Sequence, residues 1–509
     1  MKRAGLLKTG LFAKQIFRVV NPPGFQETTM KEIQSVIANP WFSRNKDDDI
    51  NITIDNTSSV NVENCDYRTG LELVSRLKTA EEIEMQILKF NFKKHNFPIQ
   101  VTPDLMWKFK GNIKDHIEEI KKFFTLFYDS DSINPLDESE DSLLSIFTKS
   151  KRKDLSSRTL KNMFIESLSK RMKIIDGPTR ASIPLLTNQN RIYSSIGSEL
   201  ITYINLNGRK LSERGYKKDM VGIAPLTENL AAACIQTLLS DLSFMNNKIN
   251  TNNNDTNTDN KDITIVDMMS GSGTIGLESI IELFNISNIV WPRVFAFERI
   301  KNADYISKSK SIQPTIKFLK NKSQKDILES DSQVRVILND YNDTAHKISK
   351  MNSEHFLSHI ISDDDASIES KLTIENTQYD ILKGRDLTAL TASAATTAKD
   401  STLLLCLNPP QQLRLGEKIQ NLNLFFEKIG KSCALLIEKV EPKHFAGFVI
   451  VPVSSSTDED TESESFIQSM RKHSSHKVYQ YTKHFSQGGH HKLLVCFSNE
   501  IIKRKKEKE

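Results

Sequence analysis

In this 509-residue chain an aspartate, three glycines and an Asn-Pro-Pro triplet have the types and spacing to do chemistry. Gly271, Gly273 and Gly276 follow directly on the run Ile263 to Asp267 and open the segment GSGTIGLESIIEL. Ile263, Ile265 and Val266 are the β-branched core of a buried parallel strand, and Ile275, Leu277, Ile280 and Ile281 recur at helical spacing. A strand, a glycine turn and a helix start together make a cradle for a nucleotide-type ligand. The glycines admit positive φ and close backbone approach, and the helix start offers unpaired N–H groups. Gly271-x-Gly273-x-x-Gly276 formally matches the dinucleotide fingerprint, which keeps an NAD-dependent oxidoreductase among the readings. It is not a phosphate-binding P-loop, because no Gly-Lys-Ser/Thr follows.

A second stretch separates these readings. Leu403 to Leu407 (LLLCL) is an apolar strand that runs straight into Asn408, Pro409 and Pro410. The Asn side-chain oxygen and a backbone carbonyl can each accept one N–H of a flat exocyclic amine. The prolines fix φ and remove competing donors. An amine held in this way can attack a sulfonium methyl. The two stretches together read as an S-adenosylmethionine-dependent amino-methyltransferase, in which Asn-Pro-Pro has a role that it lacks in a dehydrogenase. Cys406 lies inside the strand as core, so no thiol nucleophile for pyrimidine C5 chemistry is offered. An acid at the tip of the strand after the glycine turn accepts the cofactor's ribose hydroxyls. Val334 to Leu338 is that strand and Asp340 that acid, with Glu298 as the alternative. Asp386, in ILKGRDLTAL, is placed where it could accept the adenine amine.

The elements that must position these residues follow from length and pattern. The length implies two or three domains. Hydrophobic content of 38% supports real cores, and a net charge of +5 permits an RNA partner without demanding one. Five scattered cysteines form no Cys-x-x-Cys pair, so neither a zinc site nor a disulfide framework is indicated. No apolar run is long enough to span a bilayer. Residues 1 to 26 are basic, amphipathic and free of acids until Glu27, like a mitochondrial presequence, with nuclear or cytoplasmic residence as the alternative. Within them KQIFRVV could instead be the first strand of a domain. Tyr67 to Lys94 reads as helix then strand, Ser145 to Thr148 ends a strand, and Ser156 or Ser157 caps a helix with Leu160, Met163, Phe164 and Leu168 on its apolar face. Lys149, Lys151, Arg152 and Lys153 cluster at that strand–helix junction, where phosphates could be held. Arg191 to Asn207 reads as two strands of a meander. A loop with Arg209, Lys210, Arg214, Lys217 and Lys218 follows, and then a helix opening at Ala224 to Asn229. Asn246 to Asp262 is an Asn/Thr/Asp-rich tract expected to be a disordered insertion. Cys433 to Glu438 and Phe448 to Val453 read as strands, 454–465 as an acidic loop, Val478 to Tyr481 with Lys492 to Phe497 as a closing antiparallel pair, and 501–509 as a charged tail.

The segment from Gly208 to Ala233 (GRKLSERGYKKDMVGIAPLTENLAAA), then DMMSGSGT, then NPPQQLRLGEK, resembles the bacterial large-subunit ribosomal RNA guanine-N2-methyltransferase family. That family carries an N-terminal THUMP RNA-binding domain, and the likeness runs from about Tyr67 to the end of the chain. It implies an α/β architecture: a ferredoxin-like and THUMP-like α+β RNA-binding region over residues 27–205, then a Rossmann-like class I methyltransferase domain over 206–500. It also implies that Asp267, Gly271, Gly273 and Thr274 hold the methionine end of S-adenosylmethionine, that Pro225 and Thr227 line the same pocket, and that Asn408 to Pro410 hold the target amine. Arg209, Arg214 and Lys217, with the Lys149 to Lys153 cluster, are the expected RNA contacts. The chain departs from the family at Gln411, where an aromatic would stack on the flipped base. Gln412 is a second departure, and Ser270 replaces a frequent Cys or Ala. Ribosomal RNA is the implied substrate. Three alternatives stay open: tRNA guanine-N2 methylation, adenine-N6 or DNA amino methylation, and a methyltransferase-like RNA-binding ribosome-assembly factor with lost or vestigial catalysis.

Overall fold

The structure is a computed structural model that describes residues 15–41, 49–56, 58–91, 144–150, 156–168, 174–175, 190–196, 199–217, 226–240, 242, 262–291, 293, 295, 317–318, 321–322, 325, 327–330, 332–361, 368, 370–399, 401–410, 421–453 and 461–500. The chain divides into two compact units. The first comprises residues 1–21, 30–211 and 292–318, and the second 22–29, 212–291 and 319–509.

The first unit is built on an eight-stranded sheet. Its strands are β1 (Gln15–Val20), β2 (Asn51–Asn56), β3 (Ser59–Cys65), β4 (Glu82–Asn91), β5 (Leu144–Ser150), β6 (Ile174–Ile175), β7 (Asn190–Ile196) and β8 (Glu199–Asn205), in the order β2-β3-β1-β4-β8-β7-β5-β6. The pairing is antiparallel except where β5 meets β6 and β7. Helices α1 (Gln26–Ala38), α2 (Tyr67–Arg76) and α3 (Ser157–Leu168) accompany it. Local chemistry sets the helix starts. Asp66 accepts from Thr69 N, and Ser156 Oγ accepts from Thr159 N at 3.0 Å.

The stretch KQIFRVV is a strand within this sheet. β1 lies between β3 and β4, alternates inward and outward, and buries Phe17 and Val19 completely. Gly70 of α2 is kept small because a Cβ there would run into the Phe17 ring. On the other face Arg18 lies 4.0 Å over the Tyr203 ring and pairs with buried Glu84. A leader running to residue 26 would therefore include a core strand, and KQIFRVV takes the other form that the sequence offered, the first strand of a domain.

The second unit is a seven-stranded sheet in the order β11-β10-β9-β12-β13-β15-β14. Its strands are β9 (Ile263–Asp267), β10 (Val334–Asn339), β11 (Leu372–Thr377), β12 (Thr402–Leu407), β13 (His444–Pro452), β14 (Tyr479–Gln487) and β15 (His490–Ser498). The first five are parallel, and β15 and β14 close the sheet as an antiparallel pair. Helices α4 (Glu228–Ser240), α5 (Thr274–Leu283), α6 (Asp343–Ile360), α7 (Gly384–Ala398), α8 (Leu422–Val440) and α9 (Thr461–His473) complete it. Two hydrophobic cores sandwich the sheet. Ile263, Ile265, Leu404 and Cys406 belong to one, and Val266, Leu403, Leu405 and Leu407 to the other. Burial on both faces explains why β9 and β12 read as continuous apolar runs. All five cysteines are buried thiols.

Two local expectations are overturned here. Cys433 to Glu438 is not a strand but part of α8, whose buried Phe426, Ile429, Cys433, Leu436, Ile437 and Val440 recur at helical spacing. A six-residue window cannot tell that period from a buried strand. The acidic stretch ending at Ser465 is helical from Thr461, with Glu462 and Glu464 favourably placed in the first turn of α9. The Asn-rich tract 246–261, residues 454–460 and the tail 501–509 lie outside the described residues.

Residues 22–29 pack within the second unit. Ser486 N donates to Pro23 O, the Phe25 and Phe485 rings lie 5.2 Å apart, and Thr28 Oγ1 is 3.0 Å from Thr237 Oγ1. Among the described residues no helix is long and apolar enough to cross a membrane. Deleting residues 1–26 removes both β1 and the Phe25 anchor. The truncated chain is expected to lose the cooperative thermal transition of the full chain in circular dichroism, and an unchanged melt would show β1 to be dispensable.

Candidate active site

The site builds up from the end of β9. The chain leaves the buried strand at Asp267 and reverses through Met268 to Gly273, where Gly271 and Gly273 adopt φ of 54° and 79°. Gly273 is the N-cap of α5 in the left-handed region. Each glycine has its own reason. A Cβ at Gly271 would meet nothing within 4 Å, so open space lies over the turn. A Cβ at Gly276 would run into Leu338 and Val336 of β10, so the third glycine serves helix–sheet packing.

Two carboxylates flank the turn. Asp267 is fully buried, and its Oδ2 accepts from Gly276 N at 3.2 Å. Its Oδ1 is buried with no hydrogen-bond partner among the described residues. Burial pushes this carboxyl up to about 7, the nearby Asp340 charge adds to the rise, and the Gly276 and Met269 N–H groups oppose it. Asp340 stands at the tip of β10, as expected. Its Oδ2 accepts from Gly271 N at 2.9 Å and its Oδ1 from Asn342 N at 3.0 Å. Burial raises it too, against the Asn342 and Gly271 N–H groups and the neighbouring His346.

Asn408 reaches the same edge. β12 is the parallel neighbour of β9, with Cys406 level with Asp267. Asn408 therefore lies just beyond Asp267, beside the glycine turn. Pro409 is buried, while Asn408 and Pro410 are half-buried. The strand order reverses between β9 and β12, and open α/β sheets bind ligands at such a switch point, outside the carboxyl ends of the strands. The charge pattern selects the ligand. An aspartate already takes the Gly271 N–H, the kind of group a pyrophosphate would need, and two carboxylates at one turn oppose a polyanion. A cation bearing hydroxyl groups suits them.

The remaining expected residues fall in different places. Thr274 is buried at the start of α5, its hydroxyl 2.9 Å from Ser272 Oγ. Thr227 is exposed at the start of α4, its carbonyl accepting from Ala231 N. Asp386 lies in the first turn of α7 and accepts from Asp380 N at 3.2 Å. Pro225, Glu298, Gln411, Gln412, Lys151, Arg152 and Lys153 lie outside the described residues, and of Lys149 only its place in β5 is described. Arg209 is half-buried, and its carbonyl accepts from Asn207 and Arg293.

Arg214 and Lys217 are corrections. Arg214 is completely buried, paired with Glu278 of α5 at 3.0 Å and bonded to Asn288 Oδ1 at 3.0 Å. Tyr216 donates to the same Glu278 at 2.8 Å. Lys217 is held by the Leu226 carbonyl at 3.1 Å and by Glu228 at 3.2 Å. Both cations are consumed inside the fold, whereas a basic loop in sequence looks the same whether its charges face water or a buried acid. Sequence reasoning also passed over two residues. Tyr341, next to Asp340, is 58% exposed at the strand tip, where an aromatic ring can stack on a base. Asn339, the last residue of β10, is fully buried. A polar residue closing the apolar run Val336 to Leu338 was the available signal.

Comparisons with known proteins place this architecture. No protein-family description matches the chain, and no curated protein matches it by sequence. Solved structures do match over both units. SMU.472, described as a methyltransferase and complexed with SAH, aligns at a TM-score of 0.57 and 16% identity, over 96% of this chain and 99% of its own. A Listeria monocytogenes protein described as an N6-adenine-specific DNA methylase aligns at 0.55 and 13%, over 95% and 96%. TrmN from Thermus thermophilus aligns at 0.52 and 11%, over 95% and 99%. The second unit has the Rossmann-like fold found in these methyltransferases, and the first is an α+β unit with a largely antiparallel sheet.

Arg214→Ala tests the correction. Breaking this buried pair is expected to cost about 3–5 kcal/mol in urea unfolding. The salt dependence of any binding to RNA should stay as in wild type. A phosphate contact would do the reverse, lowering the salt slope by about 1 with little change in stability.

Proposed function

We propose that this chain is an S-adenosylmethionine-dependent RNA methyltransferase acting on an exocyclic amine, with N2 of a ribosomal RNA guanine as its target. One observation carries the reading: Asn408-Pro409-Pro410 stands at the carboxyl end of β12, directly beside the glycine turn that follows β9. A cofactor cradle and an amine grip thus share one edge of one sheet.

The residues present fit the cofactor. The unpartnered, buried Asp267 Oδ1 and the open space over Gly271 mark where its charged methionine end would lie. Asp340 would hold the ribose hydroxyls and Tyr341 would cover the adenine. When bound, S-adenosylmethionine supplies an electrophilic methyl group on a sulfonium sulfur. The chain's own contribution is to the amine. The Asn408 oxygen and the Pro409 carbonyl accept its two N–H groups, which aims its lone pair. Holding the reactants in line supplies most of the rate, and the extra proton leaves the cationic amine after transfer, so no strong base is needed. For this the base must leave its stack.

The RNA assignment is supported by the motifs from Gly208 to Ala233 and NPPQQLRLGEK, which resemble the ribosomal RNA guanine-N2 enzymes. We assign the first unit as the THUMP-like RNA-holding region on the same resemblance. The structural match described as an N6-adenine-specific DNA methylase, with the same fold, keeps adenine-N6 as an alternative target, and tRNA guanine-N2 stands beside it. The basic, acid-free start ahead of β1 supports a mitochondrial address. Gln411, where the family has an aromatic, favours a second reading, a methyltransferase-like RNA-binding assembly factor.

Calorimetry with S-adenosylmethionine, followed by tritiated methyl transfer to total and organellar RNA, separates these. Binding lost in Asp267→Ala and transfer lost in Asn408→Ala are the expected results. Binding without transfer to any RNA selects the assembly-factor reading, and no binding at all removes the enzyme reading. The Asp267 carboxyl makes a further prediction. Its folded value of about 7 exceeds its ordinary 3.8, so the folded state keeps a proton that the unfolded chain releases. That stabilisation is complete below the ordinary value and is lost as pH rises through 7. The melting temperature of the cofactor-free protein should fall over that window, and Asp267→Asn should flatten the fall.

A further inference from the structure

Asn339 ends β10 with its side chain fully buried. Its Nδ2 donates to Met268 O in the turn after β9 and to Tyr379 O beyond β11, both at 3.0 Å. Its Oδ1 accepts from Thr377 Oγ1 and from Tyr379 N, both at 3.0 Å. Its own carbonyl accepts from Ser270 N at 2.9 Å. The amide therefore uses both of its donors and both of its acceptor lone pairs. These bonds reach the turn after β9 and the segment after β11 from the strand that lies between them.

The next residue is Asp340, whose Oδ2 accepts from Gly271 N at 2.9 Å. We propose that Asn339 is the positioning residue of the cofactor site, setting the spacing between the Asp340 carboxylate, the glycine turn and the segment after β11. The inference rests on reading this edge as the cofactor site. No other side chain of similar size meets the same demands. Aspartate would set a carboxylate against the Met268 and Tyr379 carbonyls. Leucine would leave those carbonyls, the Tyr379 N–H and the Thr377 hydroxyl without their partner. Buried groups that lose a partner drive local rearrangement, and here the groups that would move are the walls of the site.

The test is SAH binding by calorimetry on wild type, Asn339→Asp, Asp340→Ala and the double variant, with near-ultraviolet circular dichroism and RNA affinity recorded on each. Asn339→Asp is expected to weaken SAH about tenfold or more while leaving RNA affinity unchanged. In the Asp340→Ala background it should weaken SAH much less, because a residue that acts through Asp340 has little left to position. Should Asn339→Asp fail to fold, Thr377→Val removes a single bond of the set and should give a several-fold loss with the same coupling. Additive losses, or a parallel loss of RNA affinity, would overturn the positioning role. Wild-type binding with equal binding by the Asn339 and Thr377 variants would overturn it alone. Wild type that does not bind SAH would overturn the cofactor reading on which it rests.

Discussion

Helix α5 lies so close to β10 that no side chain fits at position 276, where a Cβ would meet Leu338 and Val336. Much else in the second unit depends on this approach. It seats the start of α5 directly over the end of β9, leaving the chain only the residues Met268 to Gly273 in which to reverse. Two glycines at positive φ make that reversal. The Gly276 N–H is brought onto Asp267, and Asp267 is walled in. One missing side chain thus shapes the turn, the helix start and the carboxylate together.

The charges around α5 divide into two kinds. Glu278, on its buried side, is saturated: Arg214 and Tyr216 bond to it, and Asn288 takes the remaining reach of Arg214. A buried pair of this kind locks structure, because removing either partner strands the other in a medium that cannot solvate it. Asp267, beneath the helix start, has one oxygen bonded and one without a partner. Its carboxyl is pushed up by burial, and a cation arriving at the open turn would relieve that cost. The same helix carries a finished electrostatic contact on one side and an unfinished one at its start, and the unfinished one faces the strand edge where Asn408 stands.

Local grammar was readable where an element's chemistry is short-ranged. The β9 strand, its glycine turn, the β12 strand with Asn-Pro-Pro at its tip and the β14–β15 hairpin are each specified by neighbours within a few residues. Asp340 was legible for the same reason, as an acid at the tip of an apolar run. The misreadings share a different cause. CALLIE reads as a strand unless the residues from Phe426 to Val440 are taken together, when the helical period of α8 emerges. KQIFRVV looks like part of a leader until β3 and β4 are found on either side of it.

What the amino-acid sequence determined by itself is the set of local pieces: a glycine turn after a buried strand, Asn-Pro-Pro after another, and acids at the strand ends. These depend on backbone freedom, side-chain type and period, all of which are properties of adjacent residues. The tertiary structure alone decided which charges are available to a ligand. Arg214 and Glu278 are 64 residues apart in the chain yet form a buried pair, so a basic loop became an internal brace. Asn339 gained its hydrogen bonds in the same way, from Met268 and Tyr379 on the neighbouring segments. Desolvation and hydrogen-bond saturation are set by what packs against a group, and that becomes known only when distant strands are laid side by side.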